Sequence, residues 1–516
     1  MFDWLLRHVL LRGLSRATID ACLAHPEVRA LLRFRFAYLF AFHAPVLVPL
    51  LDALSGPDAS GQGGDPSLSV LSLGLASLTM VLADVPTGFY ADRHGAKASL
   101  SLGLWATNGI MVAFFGMALL RALWPTQFVA LSLGPWAVLF LEGAIGVSLA
   151  LLSGADTVLF LQVARRSQIP GLLHPSFEGV GSSIRYLGTM VAVLLGALFY
   201  DLCAWLVPAL HLRTAVQSGL FLLTSAAELV ALAELAKLRD DHTPLHRPGL
   251  RELFRGFSVV LGYPRFFAEL WLLSMAAAVA LFAVYLVQSP LSRLSTALAT
   301  QHPLLWPLYT LVAVLGYWAC SVGSQRFARH RGEALIVLPR RSLSLTLGSW
   351  LLLLLLPLGF YATENLSIQP VMVLTLCIVL CLLFNFVRGF IEPYSAATLI
   401  RFTEEQGAKV PASLVSGFNS LKRGAHFACS ALFFVLQRRF VTADPDARLA
   451  RSLAFVALGF ALVCLPVLPR LLARLCVGLM FLGGALHKAT HLQEFIAYFQ
   501  SLHIPAPALQ APFVVA

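Results

Sequence analysis

Charged residues are scarce in this sequence. Only 12% of the 516 residues are Asp, Glu, Lys or Arg, whereas 58% are hydrophobic, and the mean hydropathy is +0.78. An average soluble domain is about 25% charged, so this chain lacks the polar surface that a soluble globule needs. Intrinsic disorder is also excluded, because disordered chains combine low hydrophobicity with high charge. The composition therefore predicts a polytopic membrane protein.

Motifs that would indicate an enzyme are missing as well. The sequence contains no phosphate-binding G-x-x-x-x-G-K-[ST] loop, no H-E-x-x-H and no nucleophile elbow, and its eight cysteines form no C-x-x-C. Cys377 and Cys381 resemble a weak metal or redox pair, but two small apolar side chains in a helix are favoured. His487 and His491 have metal-ligand spacing without a third ligand nearby. We therefore predict no enzymatic activity, no cofactor and no metal.

Apolar runs long enough to cross a bilayer recur along the chain, since a spanning helix needs about 20 apolar residues. Twelve runs are followed by a thirteenth near residue 471; the twelve are 34–55, 67–90, 98–120, 127–152, 184–207, 215–236, 268–289, 304–325, 342–362, 369–389, 412–436 and 449–468. We expect an all-α polytopic fold with twelve transmembrane helices. Two pseudo-symmetric six-helix halves, 34–236 and 268–468, are joined by a cytoplasmic linker at 237–267, and an extra helix lies in 469–516.

Basic residues divide unevenly between the two sides of this predicted topology. With a cytoplasmic N-terminus, 29 Lys and Arg residues fall on the cytoplasmic side and 8 on the other. This asymmetry is the positive-inside pattern. It accounts for the net charge of +11 through topology and contact with anionic lipids, so nucleic acid is not expected as a partner. The amphipathic, basic segment 1–33 is expected to be an interfacial or cytoplasmic N-terminal arm.

The loop after the second run carries a distinctive set of residues. It reads ADVPTGFYADRHGAKASL. Gly88 and Gly95 permit close helix approach and a tight turn, and Asp92 can accept hydrogen bonds from the free N–H groups that begin the third span. Arg93 and Lys97 can reach carboxylates or lipid phosphates. A simple positive-inside loop is the alternative interpretation.

The full pattern G-x-x-x-D-R-x-G-x-K resembles the signature of the major facilitator superfamily (MFS) between its second and third helices. Weaker likenesses at FLEGAIGVSLALLSGADTVLF, HRPGLRELFRGFSVVLGYPRFFAEL, FVRGFIEPYSAATLIRF and PASLVSGFNSLKR extend the resemblance over roughly residues 30–470. The chain departs from the family pattern at Ala96, Thr157, Gln162 and Pro411. The resemblance implies a bacterial transporter of the inner membrane. It also implies a cytoplasmic gate, in which Asp92 pairs across to the second half and Asp156 completes the cluster.

Ionisable side chains inside apolar helices are costly to bury and are therefore functional candidates. Glu142 is the first candidate proton carrier, with a structural hydrogen bond as the alternative. His43 could titrate near neutral pH, although a histidine bonded to a carbonyl is favoured. Arg388 and Glu392 are expected to pair on one helix face, with anion or gate contact as the alternative. Further polar candidates for a substrate cavity, which could equally join helices, are Asn108, Tyr285, Gln288 and Asn385.

The C-terminal stretch that starts ARLCVGLMFLGGALHKATHL is predicted to be a thirteenth membrane helix. It also resembles the first helix of DoxX-like membrane proteins at Arg474, Gly478, Phe481, Gly484, Lys488, Phe495, Ile504, Pro505 and Pro507. That family is associated with quinone and thiol redox systems, so this resemblance implies a link to a redox partner. Whether residue 516 is the natural end or the end of a truncated fusion is left open.

The expected function is secondary active transport by alternating access. The predicted cavity is mostly apolar, which favours a small lipophilic or amphiphilic substrate and, slightly, export. Proton coupling, as in an antiporter, is the default, so the expected partners are the substrate, protons and membrane lipids. Two alternatives stay open: a redox-associated membrane subunit whose MFS part does not transport, and a lysolipid flippase of the same fold.

Overall fold

The computed structural model describes residues 16–38, 40–55, 66–124, 133–167, 175–207, 210–240, 271–280, 308–329 and 378–389, together with isolated residues between 348 and 501. Every regular element in these ranges is helical. The helices are α1 (Arg16–Ala24), α2 (Pro26–Ala37), α3 (Leu47–Ser55), α4 (Pro66–His94), α5 (Ala96–Leu123), α6 (Leu133–Leu152), α7 (Ala155–Ser167), α8 (Pro175–Leu206), α9 (Leu210–Gln217), α10 (Gly219–Ala236), α11 (Trp271–Ala280), α12 (Leu308–Arg329) and α13 (Ile378–Gly389).

Among the described residues, five segments are long and apolar enough to cross a membrane, so the chain is a multi-pass membrane protein. They are Leu71–His94, Ala96–Leu123, Gly134–Phe160, Gly181–Cys203 and Leu212–Ala236. Trp105, Trp136 and Phe140 lie on these segments with more than half of their surface exposed, as suits side chains that face lipid. The five segments coincide with the second to sixth predicted spans. The count of twelve spans and the extra C-terminal helix depend largely on residues outside the described ranges and stay predictions.

The first predicted span, 34–55, is not one continuous helix. Helix α2 ends at Ala37, α3 begins at Leu47, and a 3-10 turn occupies Ala44–Val46 between them. Pro45 lies in that turn and has no backbone N–H with which to continue an α-helix. The first pass through the bundle is therefore broken near its middle.

The segment predicted as an N-terminal arm, 1–33, includes helices that pack into the bundle. Leu31 and Leu32 of α2 are buried, and α2 contacts α8 and α10. The predicted boundary at residue 33 therefore cuts through α2. Cys22 of α1 is fully buried, and this burial raises the pKa of its thiol to about 11, so the thiol packs as a small apolar side chain.

The fourth span bends where α6 meets α7. Gly154 has φ of +76°, a left-handed backbone conformation that glycine adopts at little cost. The helix restarts at Ala155, which places Asp156 in the first turn of α7. A carboxylate at this position is favoured by the partial positive charge of the helix N-terminus.

Helices α4 and α6 approach each other closely through glycine. The Thr79 hydroxyl donates a hydrogen bond to the carbonyl of Gly143 at 2.8 Å. A Cβ atom added at Gly146 would overlap the Thr79 hydroxyl and the Ala76 carbonyl. Small residues that allow such backbone contact are a common basis for helix association in membranes.

Two apolar clusters divide the core. One contains Val46, Leu50, Phe114, Val138 and Phe221, together with residues from α11, α12 and α13. The other is built from α1, α2, α4, α5, α6, α7, α8 and α10 and includes Leu31, Phe34, Leu100, Phe160 and Leu235. Since α4, α5, α6, α8 and α10 contribute residues to both clusters at different heights, the stretch of each of these helices between the clusters marks a middle level of the bundle.

Candidate functional site

A layer of polar side chains lies at this middle level. On α5, Thr107 and Asn108 fall between Leu104 of one cluster and Met111 of the other. On α10, the polar residues likewise fall between Phe221 and Ala231. We define the polar layer as His43, Thr107, Asn108, Glu142, Ser148, Thr224, Ser225 and Glu228. Polar and ionisable side chains at mid-depth in an apolar membrane bundle are candidates for function.

His43 is held by α10. Its Nδ1 lies 3.0 Å from the Thr224 hydroxyl, which also accepts a hydrogen bond from the backbone N–H of Phe42 at 3.1 Å. The ring packs 5.0 Å from the ring of Phe221. The partner is thus a threonine hydroxyl rather than the carbonyl that we expected. This pair closes the broken first span onto α10.

Asn108 and Thr107 join neighbouring helices. The Asn108 amide donates to both the carbonyl and the hydroxyl of Ser225, each at 2.8 Å. The Thr107 hydroxyl donates to the Ser148 hydroxyl at 3.0 Å. These contacts match the helix-joining alternative for Asn108, and they connect α5 to α10 and to α6.

The two acids of the polar layer are deeply buried. Glu142 is 1% exposed and lies on the same buried face of α6 as Val138 and Gly146, while Glu228 is 7% exposed. Oε1 of Glu142 and Oε2 of Glu228 are buried without a hydrogen-bond partner in the part of the chain that the structure describes. A carboxyl group in such surroundings is stabilised by carrying a proton.

The signature loop is closed onto the end of α10. Gly95 has φ of +98°, and a Cβ atom there would overlap the carboxylate of Asp240. Asp240 Oδ2 accepts a hydrogen bond from the backbone N–H of Lys97 at 3.0 Å. The Lys97 amine donates to the carbonyls of Ala236 and Leu238 at 2.8 and 2.6 Å. Asp240 therefore lies at the N-terminus of α5, and the Lys97 amine lies at the C-terminus of α10. Both placements are stabilised by the helix dipoles.

A second polar network connects three helix ends at the same level. Arg166 of α7 approaches the carboxylate of Glu27 in α2 at 3.7 Å and donates to the carbonyl of Arg239 at 2.9 Å. Glu27 also accepts from the backbone N–H of Arg239 at 3.3 Å. Sequence reasoning missed Asp240, Glu27 and Arg166, because their pairing joins distant parts of the chain. The only local signal was the charge immediately after the sixth span.

The other predicted gate residues lie around this loop. Gly88 is buried in α4, Asp92 is half-buried and Arg93 is exposed at the end of α4. Asp156 accepts a hydrogen bond from the backbone N–H of Thr157 at 2.8 Å. Gly95 and Lys97 of the motif thus lie against the end of α10, whereas Arg93 is exposed at the surface.

The predicted cavity residues of the second half are partly described. The Asn385 amide donates to the carbonyl of Cys381 at 2.9 Å, and its oxygen accepts from the Cys320 thiol at 3.3 Å, so it joins α12 to α13. The guanidinium carbon of Arg388 lies 6.0 Å from the ring centre of Tyr186. Tyr285, Gln288 and Glu392 lie outside the described residues. The expected pairing of Arg388 with Glu392 therefore stays a prediction.

Residues of the two predicted halves meet through hydroxyl groups. Along α4, Ser77 lies 2.6 Å from Nδ1 of His426, and Ser420 donates to the Asp84 carboxylate at 3.0 Å. Along α8, the hydroxyls of Ser183 and Ser321 are 2.9 Å apart. Nearer the other end of α8, Thr310 donates to Asp201 at 2.6 Å. Both contact lines run antiparallel, since the residue number rises on one side as it falls on the other.

The structure is similar to solved MFS transporters. The xylose transporter XylE from E. coli, in a partially occluded inward-open conformation, has a TM-score of 0.54 and 12% identity, with 88% of this chain and 98% of that chain covered. The MFS proton:xylose symporter XylE bound to 6-bromo-6-deoxy-D-glucose has a TM-score of 0.50 and 11% identity, with 86% of this chain and 94% of that chain covered. A D-xylose-proton symporter has a TM-score of 0.52 and 12% identity, with 87% of this chain and 97% of that chain covered. The chain therefore has the fold of these transporters, and the resemblance predicted from the sequence is confirmed at that level.

The C-terminal stretch matches a second family. The DoxX family profile matches residues 470–516, which confirms the resemblance predicted there. No curated relative matches the chain by sequence similarity.

Proposed function

We propose that this protein is a secondary active transporter, which moves a small molecule across a bacterial inner membrane by alternating access. The observation that carries the proposal is the likeness of fold to MFS transporters over 88% of the chain. The contacts support it. Networks that involve Lys97, Asp240 and Arg166 join helices inside the first half, so that half can move as a unit.

The signature loop and Asp156 form the gate in this proposal. Gly95 and Lys97 hold the loop against α10, which keeps Asp92 and Arg93 at the end of α4, where the second half can meet them. Because Asp92 is half-buried, loss of its charge would change the stability of the closed state. An Asp92→Asn variant with unchanged transport rate and unchanged conformational accessibility would rule out this role.

Glu142 is the proton carrier in this proposal. It is almost completely buried, and one of its oxygens has no hydrogen-bond partner among the described residues. A protonated carboxyl suits that environment, whereas a carboxylate would require contact with water or a cation. Alternating access supplies such contact on each side in turn. The apolar clusters on either side of the polar layer favour a lipophilic or amphiphilic substrate, and on the same ground we favour export by antiport with protons.

The experiment uses purified full-length protein in liposomes that contain a pH-sensitive dye. Sugars, amino acids, organic acids, lipophilic drugs and lysolipids are added outside in turn. We expect one class to cause proton movement, and Glu142→Gln to abolish this movement while solute binding persists. The control is Ser218→Ala, since Ser218 is buried directly before α10 and its hydroxyl donates to the Thr214 carbonyl within the same membrane-crossing segment. Solute movement in Glu142→Gln with unchanged proton coupling would contradict the assignment.

The match to the DoxX family over residues 470–516 favours a second candidate, a redox-associated membrane subunit. In that case quinones would stabilise the purified protein against heat, because a ligand of the folded state raises the unfolding midpoint. Stabilisation by quinones alone, without solute movement in liposomes, would support this candidate over the transporter. Accumulation of a solute driven by a proton gradient would eliminate it.

A further inference from the structure

The polar layer contains a second buried acid besides Glu142. Glu228 is 7% exposed, and its Oε2 is buried without a hydrogen-bond partner in the part of the chain that the structure describes. The rest of α10 consists of small and apolar residues, apart from the hydroxyls of Thr224 and Ser225 and the acid Glu234 near its end. A carboxyl group is costly at such a position, so packing alone does not account for a glutamate there.

Glu228 lies on the same side of α10 as the other polar residues of the layer. Thr224 precedes it by four residues and Ser225 by three, and residues at these spacings share one side of an α-helix. Thr224 contacts the ring of His43, and Ser225 accepts two hydrogen bonds from the Asn108 amide. Glu228 therefore lies in the interior of the first half, where α10 packs against α2 and α5, and not on the lipid-facing surface.

Glu142 and Glu228 lie on opposite sides of the middle of the bundle. Glu142 comes eight residues after Gly134, where its membrane-crossing segment begins, and Glu228 comes eight residues before Ala236, where its own segment ends. In the predicted topology the first of these ends is the outer one and the second is the cytoplasmic one. Glu142 is thus nearer the outside, and Glu228 is nearer the cytoplasm.

Hydrogen-bonded hydroxyl and amide groups occupy the levels between the two acids. Ser148 lies six residues beyond the first acid on α6 and accepts a hydrogen bond from Thr107. Asn108, the next residue of α5, donates to Ser225, which lies three residues before the second acid. At a rise of 1.5 Å per residue, the acids are therefore about 12 Å apart along the bundle. A hydrogen bond cannot span this distance, so a proton that visits both acids crosses the gap through water.

The helices packed against α10 bring few charges to the level of Glu228. On α5, Lys97 and Arg121 stand near opposite ends, and no ionisable residue lies between them. Helix α9 precedes α10 at the other end of the segment, and its ionisable residues are His211 and Arg213. The other acid of α10, Glu234, is paired with Lys237 at 2.6 Å.

The first span contributes the remaining ionisable groups on this side, which are Glu27, Arg29, Arg33, Arg35, Tyr38 and His43. The span runs antiparallel to α10, so Arg35 and Tyr38 are nearest in height to Glu228. The Tyr38 ring stacks on Phe34 of its own helix, and Arg35 packs over the ring of Phe160 in α7. Burial therefore decides the state of Glu228, whose carboxyl group keeps its proton among apolar neighbours and can release it when water enters.

We propose that Glu228 is a second proton-binding group of this protein, which passes protons between the polar layer and the cytoplasmic side. This inference rests on the proposed transport function and deepens it. In export by antiport with protons, the carboxylate of Glu142 takes up a proton from the outer side and releases it to water in the cavity. The carboxylate of Glu228 takes a proton from that water and releases it to the cytoplasm. One proton thus reaches the cytoplasm for each proton taken up outside.

The first experiment asks whether Glu228 holds a proton. Infrared spectra of the full-length protein in nanodiscs distinguish protonated carboxyl groups from carboxylates by the C=O stretching band. At neutral pH, exposed Asp and Glu side chains are ionised, so this band comes from buried acids. We expect Glu228→Gln to remove part of the band and Glu142→Gln to remove another part. Glu234→Gln is the matched control on the same helix and should remove none, because Glu234 pairs with Lys237. An unchanged band in Glu228→Gln would overturn the proposal.

The second experiment asks whether that proton takes part in transport. Proteoliposomes that contain a pH-sensitive dye receive the solute that drives proton movement. We expect Glu228→Gln to slow proton movement by about tenfold or more, since positioned proton-transfer groups have effects of at least this size. Exchange of labelled for unlabelled solute at equal pH should continue. Glu228→Asp should keep part of the proton movement, and Glu234→Gln should keep all of it.

The glutamine variant separates this role from a structural one. Glutamine has nearly the shape of a protonated glutamate and carries no charge, so a carboxyl group that only packs would tolerate the change. Proton movement at the wild-type rate in Glu228→Gln would overturn the proposal. An equal loss of proton movement and of solute exchange would overturn it as well, because that result identifies a structural role.

Failure of this inference can be separated from failure of the transport function. Proton movement that is lost in Glu142→Gln and unchanged in Glu228→Gln would refute the role of Glu228 and leave transport standing. A carboxyl band that depends on Glu228, without movement of any solute in liposomes, would refute transport and leave the proton-binding group standing.

Discussion

The contacts inside the predicted first half differ from those between the two predicted halves. Inside the first half, helices meet backbone atoms of Gly143 and Gly146, and Lys97 and Asp240 join the signature loop to the end of α10. Between the predicted halves, the hydrogen bonds given above join side chains, as between Ser183 and Ser321, and Gly74 approaches the side chain of Ser430 rather than backbone.

The two kinds of contact differ in how much relative movement of the helices they allow. Backbone contact at a glycine leaves no room for relative movement, because any shift opens a gap or creates an overlap. A hydroxyl rotates and exchanges partners at little cost, since it both donates and accepts. In the proposed transport mechanism, the hydroxyl pairs between the predicted halves break and re-form as the halves rock, while the backbone contacts at glycine hold each half together.

The largest expected effect comes from a disulfide that links the two predicted halves. In Ser183→Cys/Ser321→Cys the two sulfur atoms replace oxygens that are 2.9 Å apart, so oxidation should form a disulfide and fix α8 to α12. We expect transport to be lost almost completely and to return on reduction. Transport is measured in proteoliposomes with the compound that drives proton movement, and the two single variants report oxidation of the native cysteines.

The matched cross-link lies inside the first half. Thr107→Cys/Ser148→Cys replaces hydroxyls that are 3.0 Å apart on α5 and α6. Because both residues belong to the polar layer, the oxidised variant is compared with the same variant after reduction, and we expect the two transport rates to be equal. If this disulfide stopped transport, the first half would not move as a rigid body; if the disulfide between the predicted halves did not stop transport, the halves would not move against each other.

A smaller effect is expected from filling a glycine contact. Gly146→Val introduces side-chain atoms where a Cβ already overlaps the Ala76 carbonyl and the Thr79 hydroxyl. Overpacking of this kind should destabilise the protein by about 3 kcal/mol, seen as a lower unfolding midpoint in detergent. The control is Gly109→Val on α5, where a Cβ meets nothing within 4 Å. Equal unfolding midpoints for the two variants would show that close packing of α4 against α6 at Gly146 does not contribute to stability.

Much of the first half could be predicted from local patterns. Apolar runs located the five crossing segments because each helix must be apolar along its length, and the G-x-x-x-D-R-x-G-x-K pattern marked the turn at Gly95. The break at Ala44–Val46 was also signalled locally, by Pro45. It was missed because prolines are common inside membrane spans and often only bend them.

The rest depends on partners far apart in the chain. Asp240 meets Lys97 across 143 positions, and Ser77 meets His426 across 349. No periodicity within one helix indicates such a pairing.

The smallest effect tests whether the polar layer is structural at His43. Thr224→Val keeps the shape of the side chain but removes the oxygen that contacts the His43 ring and accepts from the Phe42 N–H. Loss of these partners should cost about 1 kcal/mol, since hydrogen bonds between membrane helices are individually modest. Ser218→Ala, which removes a buried hydroxyl bonded to Thr214 in the same segment, should cost less. If Thr224→Val instead left stability unchanged and altered the pH dependence of transport, His43 would join Glu142 as a proposed proton-handling group. The polar layer would then be a second mobile region, inside a half that the glycine contacts otherwise hold rigid.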